Sequence, residues 1–375
     1  MTYDVRGRGT VVKVIIAGGG TGGHLFPGIA IAEEFQKREQ KNIVLFIGTD
    51  RGMEKNILRE MGFPLRTLDV EGIKGKGFVE RGRALLKIPR GLLRSFKIIR
   101  EFRPDIVIGV GGYVSGPAVI TAHFMGVKTA VAEQNVLPGI TNRVLGRFVD
   151  KVFLTFSETR KWFPEKKVLI TGNPIRAAFF SRITDQEGEV EKGRGEDFTI
   201  LIFGGSQGAH AINVALINAV EHLKEMRERL KIIHQTGYND LEEASKIYQV
   251  KGIKAEVFPF IMDMASAFRK ADLLICRAGA TTVAEITAMG KAAILIPFPF
   301  AAGDHQTKNA EVLVKAGAAE MIPEKELEGK RLAEVIWRFY RQPEMIREME
   351  IKSASLGNVR AAADIVDACM AMVKG

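Results

Sequence analysis

Three glycine-rich stretches each follow an apolar run and precede a helical pattern: "GGGTGGH" (18–24), "GGYVSGP" (111–117) and "GGSQGAH" (204–210). Glycine lets the backbone approach a ligand closely. The first turn of a helix presents backbone N–H groups and the positive end of its dipole. Such a loop suits phosphate. A single one is equally well explained as a tight strand-to-helix turn. Three of them, in two halves of the chain, predict loops that converge on a cleft where open α/β sheets bind ligands.

Gly18, Gly20 and Gly23 fit the dinucleotide fingerprint G-x-G-x-x-G. Yet His24 follows at once, and Pro27 stands where a helix should begin. A dehydrogenase also needs an acid after its second strand. Asp50 in "LFIGTD" is available, but it reads better as the N-cap of a helix starting at Arg51. Nothing else supports hydride transfer.

A stronger constellation lies in "CRAGATTVAEITAMGKAAILIPFPFAAGDHQTKNA" (276–310). Arg277–Gly279 form a turn after a strand, and Ala280–Thr282 begin a helix whose first turns place Glu285. A carboxylate there accepts hydrogen bonds from both hydroxyls of a ribose. Gln306, at the head of the next helix, can donate and accept, as a sugar with several hydroxyls requires. His24 is either a general base beside a phosphate loop or a residue that orients backbone; geometry decides between them. His210 reads as a helix cap and His305 as a neighbour of the sugar site, while His123, His222 and His234 have no supporting neighbours. There is no D-x-D motif and no ligand spacing among the histidines, so no catalytic metal is expected.

The elements that must position these groups alternate along the chain. "VVKVIIA" (11–17), "NIVLFIG" (42–48), "DIVIGV" (105–110), "KTAVAE" (128–133) and "KVLITG" (167–172) read as buried strands. Between them, 28–39, 52–62 and 83–102 read as helices. After the polar stretch "TDQEGEVEKGRGEDF" (184–198) the pattern restarts, with strands at "KIIHQ", "KAEVF", "DLLIC" and "AAILIP". The expected fold class is therefore α/β: two Rossmann-like domains with parallel sheets. The predicted boundaries are 1–183, a polar linker at 184–198, and 199–375, with the last helix free to pack on either domain.

The 375 residues carry a net charge of +10, which calls for an anionic partner. The excess is concentrated between Glu71 and Arg103, where ten Lys/Arg face three Asp/Glu. Leu85, Ile88, Leu92, Phe96 and Ile99 form a stripe predicted to be core. Ile73, Phe78 and Leu86 lie off it among Lys74, Lys76, Arg81, Arg83, Lys87 and Arg90, a pattern suited to an anionic membrane surface. Nucleic acid is not an expected partner: aromatic residues are 8%, and no helix-turn-helix or RNP signature occurs. Two cysteines without a metal or disulfide pattern fit a reducing compartment. The stretch from Ile106 to Val127 lacks charged residues, but its glycines and Pro117 argue for strand, loop and helix rather than a membrane span.

Taken in order, "GGGTGGHLFPG", "GGYVSGP", "AEQN" (132–135), "TGNPIR" (171–176), "GGSQGA", "RAGATTVAE" and "GDHQTKNA" resemble the GT-B glycosyltransferases over nearly the whole chain. The resemblance is specifically to those that add N-acetylglucosamine to a polyprenyl-diphosphate-linked muramoyl-pentapeptide at its 4-hydroxyl, with inversion, in peptidoglycan synthesis. It implies UDP-GlcNAc as donor, no cofactor, and a peripheral position on the cytoplasmic face of the membrane. Another UDP-sugar enzyme of the same fold, such as a UDP-GlcNAc 2-epimerase, is the alternative. The resemblance assigns Ser206 and Arg176 to the diphosphate and the Ile261 backbone to uracil. It assigns Ala280, Thr281, Thr282, Val283, Ala284 and Glu285 to ribose and phosphate, with Glu285 on the diol, and Gln306 to the sugar hydroxyls. Thr21, Gly22, Gly23 and Asn135 would approach from the first domain, with the acceptor diphosphate on the first loop and His24 as base.

Overall fold

The computed structural model describes residues 11–49, 54–70, 78–179, 197–205 and 208–374, with side chains described for all of these except 54 and 78–88. The chain forms two compact units, Met1–Arg176 with Val359–Gly375, and Ala177–Asn358.

Among the described residues the first unit holds seven parallel strands: β1 (Lys13–Gly18), β2 (Ile43–Gly48), β3 (Leu65–Thr67), β4 (Ile106–Gly111), β5 (Lys128–Glu133), β6 (Lys151–Leu154) and β7 (Val168–Ile170). Their spatial order is β3-β2-β1-β4-β5-β6-β7. The second unit holds β8 (Phe198–Phe203), β9 (Leu230–Gln235), β10 (Lys254–Phe258), β11 (Leu273–Cys276), β12 (Ala293–Leu295) and β13 (Glu320–Met321). Their order is β10-β9-β8-β11-β12-β13. Each sheet reverses its winding beside its first strand, at β1/β4 and at β8/β11. There the loops leaving the carboxyl ends of the strands diverge and open a crevice.

Side-chain alternation explains the burial of both faces. Val14 and Ile16 point into one apolar cluster of the first unit, and Ile15 and Ala17 point into the other. In the second unit the inward face of β8 (Phe198, Ile200 and Ile202) packs with Ile212 and Leu216 of the helix His210–Val220.

Three expectations need correction and one open choice is decided. First, the last helix, left open between the two domains, belongs to the first unit. The helix Ala361–Lys374 sits on the helix Gly22–Arg38 of the first unit, burying Ile365, Val366 and Cys369 in that core and pairing Asp367 with Arg38. Second, the first helix starts at Gly22, not at residue 28, with Pro27 inside it. Pro27 is its sixth residue, past the first-turn N–H groups that lack an intrahelical partner, so the helix forgoes one bond there, to the Gly23 carbonyl. Third, β7 is a partly exposed edge strand rather than a buried one. Fourth, the proposed core stripe is rotated: in the helix Phe78–Phe102, Gly91, Ser95, Ile98 and Ile99 are buried, whereas Phe96 is exposed and Leu92 half-buried. A 3.5-residue count drifts off a 3.6-residue helix over four turns. Ile73, Lys74 and Lys76 lie outside the described residues, as do the side chains of Phe78, Arg81, Arg83, Leu85, Leu86, Lys87 and Ile88. Among the described residues, no helix is long and apolar enough to cross a membrane.

Candidate functional site

In the first unit the site is built where β1, β4 and β5 end. Thr21 is the N-cap of the first helix, Gly22 and Gly23 are its first two residues, and His24 is its third. Thr21 and Gly23 are exposed. The loop after β4 presses directly on this loop. A Cβ on Gly112 would lie 2.5 Å from the Gly19 carbonyl oxygen, and one on Gly111 would lie 2.7 Å from His24 Nδ1. Both residues have positive φ, +79° and +102°. The second glycine pair therefore serves the first loop: it provides a flat backbone surface against which the imidazole is set. Arg176 holds its guanidinium 4.4 Å from the centre of the Phe26 ring, close by on the same helix.

Asn135 owes its position to a residue the sequence reading passed over. Glu133, at the end of β5, is 3% exposed. Its carboxylate accepts hydrogen bonds from Asn135 N–H (3.0 Å), Asn135 Nδ2 (3.3 Å), Gly139 N–H (3.0 Å) and Asn142 Nδ2 (2.9 Å). These bonds wrap the loop 134–139 around one buried charge. Burial pushes the Glu133 pKa up from its ordinary range, and the four donors oppose that shift. The available signal was an acid closing a buried strand inside "AEQN".

In the second unit the corresponding loops follow β8, β10, β11 and β12. Ser206 lies outside the described residues. Gly208 is held against the neighbouring strand end: a Cβ there, where φ is +78°, would lie 1.9 Å from the Thr236 carbonyl oxygen. His210 is the first helical residue after this loop and not its cap, which is Ala209. Its Nδ1 lies 3.0 Å from Asp240. His234, expected to lack neighbours, is buried between the Tyr248 hydroxyl (2.8 Å) and Asn213 Oδ1 (3.0 Å), and burial pushes its pKa down to about 3. That makes it a neutral structural ring rather than an acid or base near neutral pH. Ile261 gives its N–H to Gln235 Oε1 at 2.8 Å, so its carbonyl is what remains for a base to recognise.

Ala280, Thr281, Thr282, Val283, Ala284 and Glu285 form the first two turns of the helix Ala280–Ala288, capped by Gly279. Ala280, Thr281, Val283 and Ala284 are buried, and Thr282 is half-buried, so what this helix can offer a ligand is the backbone N–H groups of its first turn. Glu285 is 6% exposed, one turn in. Gln306 stands at the start of the helix His305–Lys315. Its Oε1 accepts from Ala278 N–H (3.2 Å) and Phe298 N–H (3.0 Å), so the loops after β11 and β12 are tied through it. Both oxygen lone pairs are used. Gln306 therefore keeps only Nε2, a donor, for any ligand, where a group that both donates and accepts is expected from the sequence. Arg277 also ties these loops: it donates to the Ile296 and Pro297 carbonyls and pairs with Glu324 at 2.5 Å. Among the described residues, no group of three His, Cys, Asp or Glu side chains is placed to hold a metal ion.

Each unit thus presents helix N-termini and glycine backbone at the carboxyl ends of its strands, a surface suited to phosphate esters. The glycosyltransferase family 28 N-terminal domain matches residues 14–154, and that family's C-terminal domain matches residues 199–367. A protein of Syntrophus aciditrophicus (strain SB) is 61% identical over 97% of this chain and 99% of its own length. It is named UDP-N-acetylglucosamine–N-acetylmuramyl-(pentapeptide) pyrophosphoryl-undecaprenol N-acetylglucosamine transferase. The crystal structure of Acinetobacter baumannii MurG is similar with a TM-score of 0.76 at 32% identity, covering 96% of this chain and 99% of that one. A UDP-GlcNAc 2-epimerase from Neisseria meningitidis, bound to UDP-GlcNAc, is similar with a TM-score of 0.68 at 14% identity, covering 96% and 100%. That last likeness is one of fold.

Proposed function

We infer function from one premise: the chain belongs to glycosyltransferase family 28, whose N-terminal and C-terminal domains it carries in order. It is a UDP-N-acetylglucosamine-dependent glycosyltransferase of peptidoglycan synthesis. It transfers N-acetylglucosamine from UDP-GlcNAc to the 4-hydroxyl of undecaprenyl-diphospho-N-acetylmuramoyl-pentapeptide. The observation that carries this reading is the 61% identity, end to end, with a relative named for that reaction.

The second unit holds the donor. Glu285 accepts from the ribose hydroxyls, the Ile261 carbonyl faces uracil, and Gln306 Nε2 donates to a sugar oxygen. Ser206 and the first-turn N–H groups after Gly208 and Gly279 face the diphosphate. The first unit holds the acceptor, with its diphosphate at Thr21, Gly22 and Gly23 and with Asn135 beside it. In the reaction the acceptor oxygen bonds to the anomeric carbon from the face opposite the leaving group, and the carbon–oxygen bond to UDP breaks with inversion. His24 takes the hydroxyl proton, and UDP leaves with the bonding electrons. Helix N-termini and Arg176 stabilise the charge that develops on it. The His24 ring set against Gly111 supports the base role, because a base must be held in place to act.

The lipid-linked acceptor gives this protein reason to sit on a membrane. On the helix Phe78–Phe102, Leu93 is 72% exposed and Phe96 43%, among the exposed cations Arg90, Arg94, Lys97 and Arg100. Apolar tips ringed by cations support peripheral, reversible binding to an anionic surface. We place that surface on the cytoplasmic side, where a nucleotide-sugar donor is available.

The test is direct. Incubating purified protein with labelled UDP-GlcNAc and a short-chain lipid acceptor should yield the lipid-linked disaccharide and UDP. Conversion of UDP-GlcNAc to its 2-epimer without transfer would instead establish the epimerase alternative. His24→Ala should lower kcat by about 10²–10⁴ while leaving UDP affinity unchanged. A loss below about threefold would leave His24 a structural residue.

A further inference from the structure

β9 lies between β8 and β10 in the second sheet, and Gln235, its last residue, is in register with Phe203 on one side and Phe258 on the other. Those two residues end the strands that lead into the glycine loop 204–209 and the loop around Ile261. Strands lie about 4.8 Å apart, so the two loops start nearly 10 Å from each other. Gln235 is 1% exposed and spans that gap. Its Nε2 donates to the Gly205 carbonyl at 2.7 Å, and its Oε1 accepts from Ile261 N–H at 2.8 Å. The amide orientation follows from the partners, since a carbonyl must face the NH₂ group and an N–H must face the oxygen. The next residue adds backbone bonds on the same line: Thr236 N–H donates to the Phe258 carbonyl at 3.0 Å.

Resting on the donor site proposed above, we propose that Gln235 is a positioning residue that sets the diphosphate loop and the uracil loop at one fixed separation. A nucleoside diphosphate spans both loops, so it meets a surface whose two ends are already in register. A ligand that engages one end gains little from this registration. The residue touches no ligand; it acts through Gly205 and Ile261.

Two variants separate this role from mere support of the fold. Gln235→Met keeps the length and removes both hydrogen bonds. Gln235→Glu keeps the acceptor for Ile261 N–H but turns an oxygen toward the Gly205 carbonyl. Calorimetry with UDP, and competition measurements with uridine and with inorganic diphosphate, should be made on the whole protein at matched melting temperature. UDP affinity should fall by about tenfold or more in both variants, while uridine and diphosphate each change by less than about threefold. KM for UDP-GlcNAc should rise with kcat within about threefold. The proposal is overturned if UDP binding stays within twofold of the parent. It is also overturned if all three ligands weaken in parallel with a lowered melting temperature. A parent protein that binds no UDP would instead remove the donor-site reading itself.

Discussion

Replacing Glu133 by Gln sets two physical effects against each other. Among the described residues no cation pairs with this carboxylate, and burial raises its pKa above its ordinary 4.5. Neutralising it removes a desolvation cost. It also converts one of two acceptor oxygens into an NH₂ group. Oε1 serves Asn135 twice, and Oε2 serves Gly139 and Asn142. In either amide orientation two donors then face another donor: the two part-buried ones of Asn135, or Gly139 N–H and the buried Nδ2 of Asn142. A fully buried unsatisfied donor costs about 1–3 kcal/mol, so the loss is at most about 2–6 kcal/mol, and relief of desolvation offsets part of it. We expect the first unit to be less stable by about 2–4 kcal/mol at neutral pH. The two tryptophans make this measurable, since Trp162 lies in the first unit and Trp337 in the second. In a Trp337→Phe background, urea unfolding followed by fluorescence reports on the first unit alone. The pH dependence has a definite sign. With its folded pKa raised, Glu133 holds its proton longer in the native state than in the unfolded chain. Its stabilising contribution is complete below about 4.5 and is lost as pH rises through the folded value. The Gln variant should lack that slope. A variant as stable as the parent at pH 7 would show that desolvation, not the four bonds, governs this site.

Gly111→Ala should lower kcat by at least about tenfold with UDP affinity unchanged. Its Cβ would meet the His24 ring, and φ of +102° disfavours any side chain; unchanged kcat would detach His24 from that backbone. Glu285→Ala should weaken UDP binding by about 2–4 kcal/mol and remove discrimination against 2′-deoxy-UDP in calorimetry. Equal binding of both ligands by parent and variant would exclude a ribose contact. Liposome co-sedimentation should require anionic lipid, weaken between about 50 and 500 mM salt, and drop when Leu93 and Phe96 are both changed to Glu. Equal binding to neutral vesicles would refute the electrostatic part of the membrane reading.

Some of this protein is written locally in its sequence, and some is not. The strand–glycine–helix units were legible because an apolar run, a glycine turn and a helical period are properties of neighbouring residues, and the same is true of the two sheets they build. The family motifs lie in these units, and they supply the candidate residues from Thr21 to Gln306. Their hydrogen-bonding roles could not. Gln306 is a donor alone because Ala278 and Phe298 take its oxygen, and Ile261 offers only its carbonyl because Gln235 takes its N–H. Glu133 and Gln235 read as ordinary polar ends of strands until neighbouring strands bring loops within reach of their side chains. The last helix had two apolar docking choices by periodicity, and packing on the first helix decided between them. Periodicity specifies which face of an element is apolar. Which surface covers that face, and which lone pairs are spent inside the fold, are fixed only when segments distant in sequence meet.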